Sequence, residues 1–245
     1  MDFDLLFRPV EQFDEELTSL FEGAPLLVAL GVAFLLGLRH ASDPDHLVAV
    51  TSLIASERSD TPAAARLGAW WGLGHAAMLL GLGLPLIALK SDLPEWLEAG
   101  AEKAVGAVIV VLCARVIWKW ARGDYRVGRH RHDTNAHRHV RRGEGPHGHL
   151  TLRTPQQALG IGVLHGLAGT GAVVVLLIAA LPSQLAAAAA LAVFAPMTAV
   201  SMVACTSAFA WILTRPLVEP VYRTVLIPAL GVLGLAFGLW YVGIT

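Results

Sequence analysis

The chain has 245 residues, 55% of them hydrophobic and only 15% charged, with 18 Lys/Arg against 19 Asp/Glu and a net charge of −1. Soluble domains carry about 25% charged residues, so this balance argues against a soluble enzyme, a disordered chain and a nucleic-acid-binding domain. Mean hydropathy is +0.59, and the class it points to is an all-α, polytopic membrane protein with the lipid bilayer as its surroundings. Two cysteines, Cys113 and Cys205, are too few for a disulfide framework.

In chain order, residues 1–23 read as an amphipathic acidic segment with seven Asp/Glu and one Arg. The segment has no basic n-region and no small-residue cleavage site, so it does not read as a signal peptide. Its apolar residues, Phe3 to Phe21, suit the membrane interface. Six apolar segments then reach the ~20 residues a span needs: 24–55, 66–89, 100–121, 154–181, 184–214 and 221–244. The first and fifth are longer than that and contain Pro44 and Pro196, which predicts tilt or a break. Spans one to three form a first half, 24–121, and spans four to six a second, 154–245. Between them lies a His/Arg-rich loop, 122–153. Three spans per half would make any repeat inverted. Gly37-Leu-Arg-His40 and Gly162-Val-Leu-His165 are a match of that kind, and a 3+3 inverted repeat and a chance match both stay open. Thirteen Lys/Arg fall on one side of the six spans and three on the other. That bias predicts a multi-pass protein of the cytoplasmic membrane with the loop inside and both termini outside.

Span one contains five ionisable residues, Arg39, His40, Asp43, Asp45 and His46. Each costs at least ~2.5–3.5 kcal/mol at the centre of a bilayer, which marks them as functional by default. On an unbroken helix His40, Asp43 and His46 share an arc of about 120°, with Asp45 pointing away. Pro44 changes this. It lacks an N–H and pushes Asp43 out of the helical region. The predicted result is a break with Asp43 as N-cap and Pro44 opening a second helix. A freed His40 carbonyl and a redirected Asp45 would then join His40 and His46 as ligands. Two imidazoles, a carboxylate and a carbonyl suit Ni(II), Co(II) or Zn(II). The bland alternative pairs Arg39 with Asp43, leaves Asp43 as a cap, and bonds the histidines to nearby carbonyls.

His75 stands about ten residues into span two and His165 about twelve into span four, so both reach the depth of His40. Arg115 can snorkel to the surface. Cys113 and Cys205 read as apolar fillers. Met197, Thr198, Ser201, Met202, Thr206 and Ser207 in span five line a polar path or simply pack; packing is preferred. The loop holds three His-x-His pairs, His130/His132, His137/His139 and His147/His149. They read equally as a metal buffer or as part of a basic, topology-setting loop.

The run His40-Ala-Ser-Asp-Pro-Asp45-His46, preceded by Arg39, resembles the signature of the nickel/cobalt transporter superfamily: a histidine, four residues, then Asp-His in an early transmembrane helix. Leu73-Gly74-His75 resembles its second-helix element. The segment His165-Gly-Leu-Ala-Gly-Thr-Gly171 is similar to the smaller, urease-accessory-type permeases rather than to the eight-helix members. The resemblance implies a permease for Ni(II) and Co(II), not an enzyme, with His40, Asp45 and His46 essential, His75 near the site and nickel enzymes supplied. Asp43 and His165 stand as further ligands or support. The transported ion is the substrate and no prosthetic group is expected. A cytoplasmic metallochaperone or a second copy of the chain is an expected partner, and protonation of the histidines would couple transport to pH. Related exporters also carry His-rich loops, so efflux is the first alternative. A thiol-disulfide electron carrier built on Cys113 and Cys205 is another, and a metal sensor without flux a third.

Overall fold

The structure, a computed structural model, describes residues 12, 16, 19–21, 25–55, 61–123, 127–132, 135–140, 154–213, 215, 218 and 221–243. The amphipathic reading of residues 1–23 therefore lies mostly outside the described residues. Of its apolar positions, Phe21 is buried and Leu20 exposed.

The first apolar segment folds as two helices, α1 (Leu26–His40) and α2 (Pro44–Ala55), separated by Ala41, Ser42 and Asp43. Pro44 cannot donate to a carbonyl four residues back, and its ring clashes there, so α1 stops short of it. Asp43 takes the N-cap place: its carbonyl accepts the Leu47 N–H at 2.9 Å. The chain bends by 42° at this point, and the two helices together are long and apolar enough for one span. The His40 carbonyl, expected to stay open for a ligand, is taken by the Asp43 N–H at 3.1 Å, while Arg39 accepts from Ser42 at 2.8 Å. A tight turn gives each carbonyl one partner.

Next come α3 (Thr61–Leu89), α4 (Glu95–Ala121), strands β1 (Val127–His132) and β2 (Asn135–Val140), α5 (Pro155–Ala180) and α6 (Gln184–Leu213). A π-turn over Tyr222–Leu226 runs into α7 (Ile227–Val242). Counting α1 with α2 as one span, the described residues offer six candidate spans, as the hydropathy predicts. The long fifth segment takes the unbroken course: α6 passes through Pro196 as one helix. Inside the loop, β1 and β2 pair antiparallel with His130 opposite His137. The sequence offers no hydrophobic pattern for that hairpin. The body that would cross a membrane is helical throughout.

α5 starts cleanly. The Thr154 hydroxyl accepts the Gln157 N–H at 3.2 Å and the Gln157 side chain accepts the Thr154 N–H at 3.3 Å, with Pro155 in the first turn. At the far end of α3, the Gln184 amide donates to the carbonyls of Ile87 and Ala88, both at 3.0 Å, which ties the start of α6 to the last turn of α3.

α3 is the central helix, with its largest contacts on α6 and α5; α4 packs on α7, and α1 on α6. Buried side chains gather in three groups. One includes Leu79, Ile87 and Leu191, a second Val50, Trp71 and Met202 beside the break, and a third Val105, Ile109, Cys113 and Phe237 between α4 and α7. Large apolar side chains such as Leu27, Leu89 and Leu185 face outward, as expected where the surroundings are lipid. In lipid, helices associate by close packing of small residues rather than by the hydrophobic effect. The crossing of α3 and α5 is of that kind. A Cβ on Gly162 would run into the Trp71 carbonyl, one on Gly166 into the His75 carbonyl, and one on Gly74 into the Leu159 carbonyl.

Gly162→Ala is expected to force α3 and α5 apart and to cost about 1–3 kcal/mol. Gly160→Ala, on the same helix with open space at its Cβ, should leave stability unchanged. Thermal unfolding of the two variants in detergent micelles checks this, and equal stability would contradict the interlock.

Candidate metal centre

The break in the first span brings its polar residues together. α1 ends with Arg39 and His40 in its last turn and α2 begins with Asp45 in its first. Each sign suits the helix end it occupies, since helix C-termini favour cations and N-termini anions. Arg39 Nη2 lies 2.7 Å from Asp43 Oδ1, and Asp43 Oδ2 lies 2.9 Å from His40 Nδ1. Asp45 Oδ1 lies 3.0 Å from His46 Nδ1. The ion pair of the bland reading is thus present, but the same carboxylate also holds His40.

These contacts fix the chemistry of both imidazoles. An ionised carboxylate only accepts hydrogen bonds, so His40 and His46 each donate from Nδ1, and when the ring is neutral the lone pair is on Nε2. Carboxylate–imidazole pairs of this kind orient metal-ligating histidines and raise their basicity.

His75 reaches the same place from α3, its Nε2 3.1 Å from His40 Nε2. Ring centroids of His40 and His46 are 4.5 Å apart, and those of His46 and His75 5.3 Å. His40, His46 and His75 each offer one nitrogen, and the three nitrogens lie within 4.8 Å of one another. Metal–nitrogen bonds are ~2.0–2.1 Å, so nitrogens sharing one ion lie no more than about 4.2 Å apart. The set is therefore close to ligating size and would tighten by roughly half an ångström around an ion.

His165 arrives from α5, held against α3 by Gly162 and Gly166 on either side of it. Its Nε2 is 3.7 Å from Asp45 Oδ2 and its ring 4.9 Å from that of His46. His46, His75 and His165 are all buried, while His40 and Asp45 are partly open. His46 Nε2 and His75 Nδ1 are buried without a hydrogen-bond partner. Buried polar atoms are nearly always paired, so these nitrogens are exceptions, and Trp71 Nε1 beside them is unpaired as well.

The family model described as high-affinity nickel-transport protein, NicO, matches residues 26–227. The chain belongs to the NicO family. Among curated proteins, the urease accessory protein UreH of Bacillus sp. (strain TB-90) is 28% identical over 162 residues, 62% of this chain and 62% of that protein. The high-affinity nickel transport protein of Cupriavidus necator is 36% identical over 90 residues, 36% of this chain and 25% of that protein. The matches thus span less than two thirds of either relative. No solved structure matches the chain significantly.

All six intramembrane residues singled out from the NicO sequence meet in this one cluster. Two supporting residues, Trp71 and Phe194, escape a reading of the sequence, as does the role of a third, Ser201. Trp71 stacks on His46 with centroids 5.6 Å apart and meets His165 edge-on at 5.6 Å. Its place four residues before His75 on one helix face was the available signal. Phe194 meets the ring of His40 edge-on at 5.5 Å. Ser201, 160 residues from Ala41 in sequence, accepts the Ala41 N–H at 3.3 Å and donates to the Leu38 carbonyl. Cys205 donates from Sγ to the Ala41 carbonyl at 3.7 Å. Thr198, Thr206 and Ser207 bond carbonyls of their own helix, so within that group only Ser201 serves the break. Cys113 lies beside Gly234 of α7, and neither cysteine is in a disulfide. The electron-carrier alternative therefore finds no thiol pair. Of the loop histidines, His130, His132, His137 and His139 fall in the hairpin, whereas His147 and His149 lie outside the described residues.

The geometry predicts the Nδ1–H tautomer for metal-free His40 and His46. Nitrogen-15 NMR of histidine-labelled protein at mildly alkaline pH checks it. An Nε2–H tautomer at both residues would overturn the assignment of Nε2 as the donor to a metal.

Proposed function

We propose that this protein is a permease that carries Ni(II) across the cytoplasmic membrane, with Co(II) as a competing substrate. The observation that carries the reading is the meeting of three imidazoles, from both sides of a broken span and from α3, with two nitrogens left open in a buried place. His40, His46 and His75 are the proposed ligands. Asp43 and Asp45 hold the first two rings, and His165 stands behind Asp45. Arg39 balances one of the two carboxylates, and a divalent cation supplies charge to balance the other. An N/O donor set without thiolate suits Ni(II) and Co(II), which differ little in what they accept.

The proposed direction is uptake, with delivery to nickel enzymes through a cytoplasmic acceptor. Two features support this reading: membership of a nickel-transport family, and likeness to a protein named as a urease accessory protein. The proposed orientation puts the loop inside and both termini outside. The guanidinium of Arg122 lies 3.8 Å over the Trp118 ring and that of Arg215 3.7 Å over Trp211. Both pairs sit at helix ends on the side assigned to the cytoplasm, and such pairs suit a headgroup boundary. In this reading residues 24–121 and 154–245 are two three-span halves joined by the loop. The loop histidines, with His130 opposite His137 in the hairpin, serve as a cytoplasmic reservoir for the ion.

Proteoliposomes holding the native chain should show saturable Ni(II) flux that Co(II) inhibits, and His46→Ala should lower it at least tenfold, the scale of losing one ligand or its support. Native vesicles that carry no nickel, or His46→Ala vesicles that carry it at the native rate, would overturn the reading. Efflux instead of uptake would show as flux dependent on nickel from the loop side only.

Nickel affinity should fall as pH is lowered from about 7.5 to about 5.5, since a protonated imidazole has no lone pair for the metal. Titration of the detergent-solubilised chain with Ni(II) at several pH values checks the sign. An affinity that is flat or rises toward acid would exclude imidazole ligands.

A further inference from the structure

His165 is the least accounted-for member of the cluster. It is buried at 2% exposure, yet its Nε2 makes no hydrogen bond. That nitrogen lies 3.7 Å from Asp45 Oδ2, beyond hydrogen-bond range. A nitrogen and an oxygen that both bind one ion through bonds of ~2.1 Å lie up to about 4.2 Å apart, and 3.7 Å falls inside that limit. Asp45 is placed between two partners. Its Oδ1 holds His46, a member of the three-histidine set, and its Oδ2 faces His165. The ring of Trp71 lies against both His46 and His165 and so forms one wall common to the two places. The glycines on either side of His165 fix it there, because a Cβ on either would strike the backbone of α3.

One site that gathered four imidazoles and two carboxylates would hold a divalent ion too firmly to release it. Passage needs sites that bind well enough to admit the ion and weakly enough to let it leave, with more than one in series. We propose that Asp45 and His165 form a second cation station beside the three-histidine set, and that the ion passes from His40, His46 and His75 to Asp45 and His165 by exchanging ligands across the Asp45 carboxylate. This rests on the nickel reading above and adds to it a division of the cluster into a capturing part and a releasing part. The two places are close enough for a divalent ion in one to repel another, so one ion occupies them in turn.

The test uses full-length protein, Ni(II) as the probe, and two readouts on the same preparations: affinity in detergent and flux in proteoliposomes. The variants are His165→Ala, His165→Asn and His75→Ala, each accepted only if monodisperse and helical. Nickel affinity in both His165 variants should stay within about threefold of native while flux falls at least about tenfold; His75→Ala should lose at least about tenfold in affinity. Two results would overturn the second station: affinity lost in the His165 variants as fully as in His75→Ala, which makes one undivided site, or native flux retained. A native chain that binds no nickel would instead overturn the proposed function, and the station with it, so the two failures are told apart by the native titration.

Discussion

A proline in the middle of a membrane span is the constraint from which the rest follows. Pro44 removes one backbone donor and ends α1 at His40. In hydrocarbon an unpaired backbone group costs several kcal/mol, so the break needs partners within the protein. Two come from the turn itself, where Asp43 and Ser42 donate to His40 and Arg39. Others come from α6, where Ser201 and Cys205 pair with Leu38 and Ala41. With the backbone satisfied, Asp43 and Asp45 are left to hold imidazoles.

The remaining helices serve that break by their small residues. Glycines on α5 let it lie directly on the backbone of α3, which brings His75 and His165 to the two sides of His46. Gly37 does the same for α1 against the backbone of α6 at Phe194, which places Phe194 on the ring of His40. Close packing and ligand geometry are therefore one problem here. The same contacts that substitute for the hydrophobic effect in lipid also set the distances among the nitrogens.

The membrane class, six spans and the residues of the cluster were legible in the sequence because each is a departure from background. An 18-residue apolar run is rare in soluble chains, and His40, Asp43, Asp45, His46, His75 and His165 are residue types that hydrocarbon penalises. The break was legible because proline acts locally. What stayed hidden depends on distance in space. Asp43 could pair with Arg39 or hold a histidine, and only the folded turn shows it contacting Arg39 and His40 at once. Asp45 was read as turning toward His40 and His46; that its two oxygens face different histidines, His46 and His165, shows only in the fold. Ser201 looked like any of the small polar residues of α6, because its partners are more than 150 positions away. The β1–β2 hairpin has no apolar face to announce it.

The bond between Ser201 and Leu38 spans 163 positions, and that interval is also a time. At synthesis rates of about 5–20 residues per second, α6 follows α1 out of the ribosome by roughly 8–30 s. During that interval the charged segment of the first span lacks the partners that α6 supplies to its backbone. A segment made early is thus among the last to be completed. Maturation of the first half waits on the fifth span, and a chain cut before Ser201 leaves its opening helix pair without the clasp that closes it.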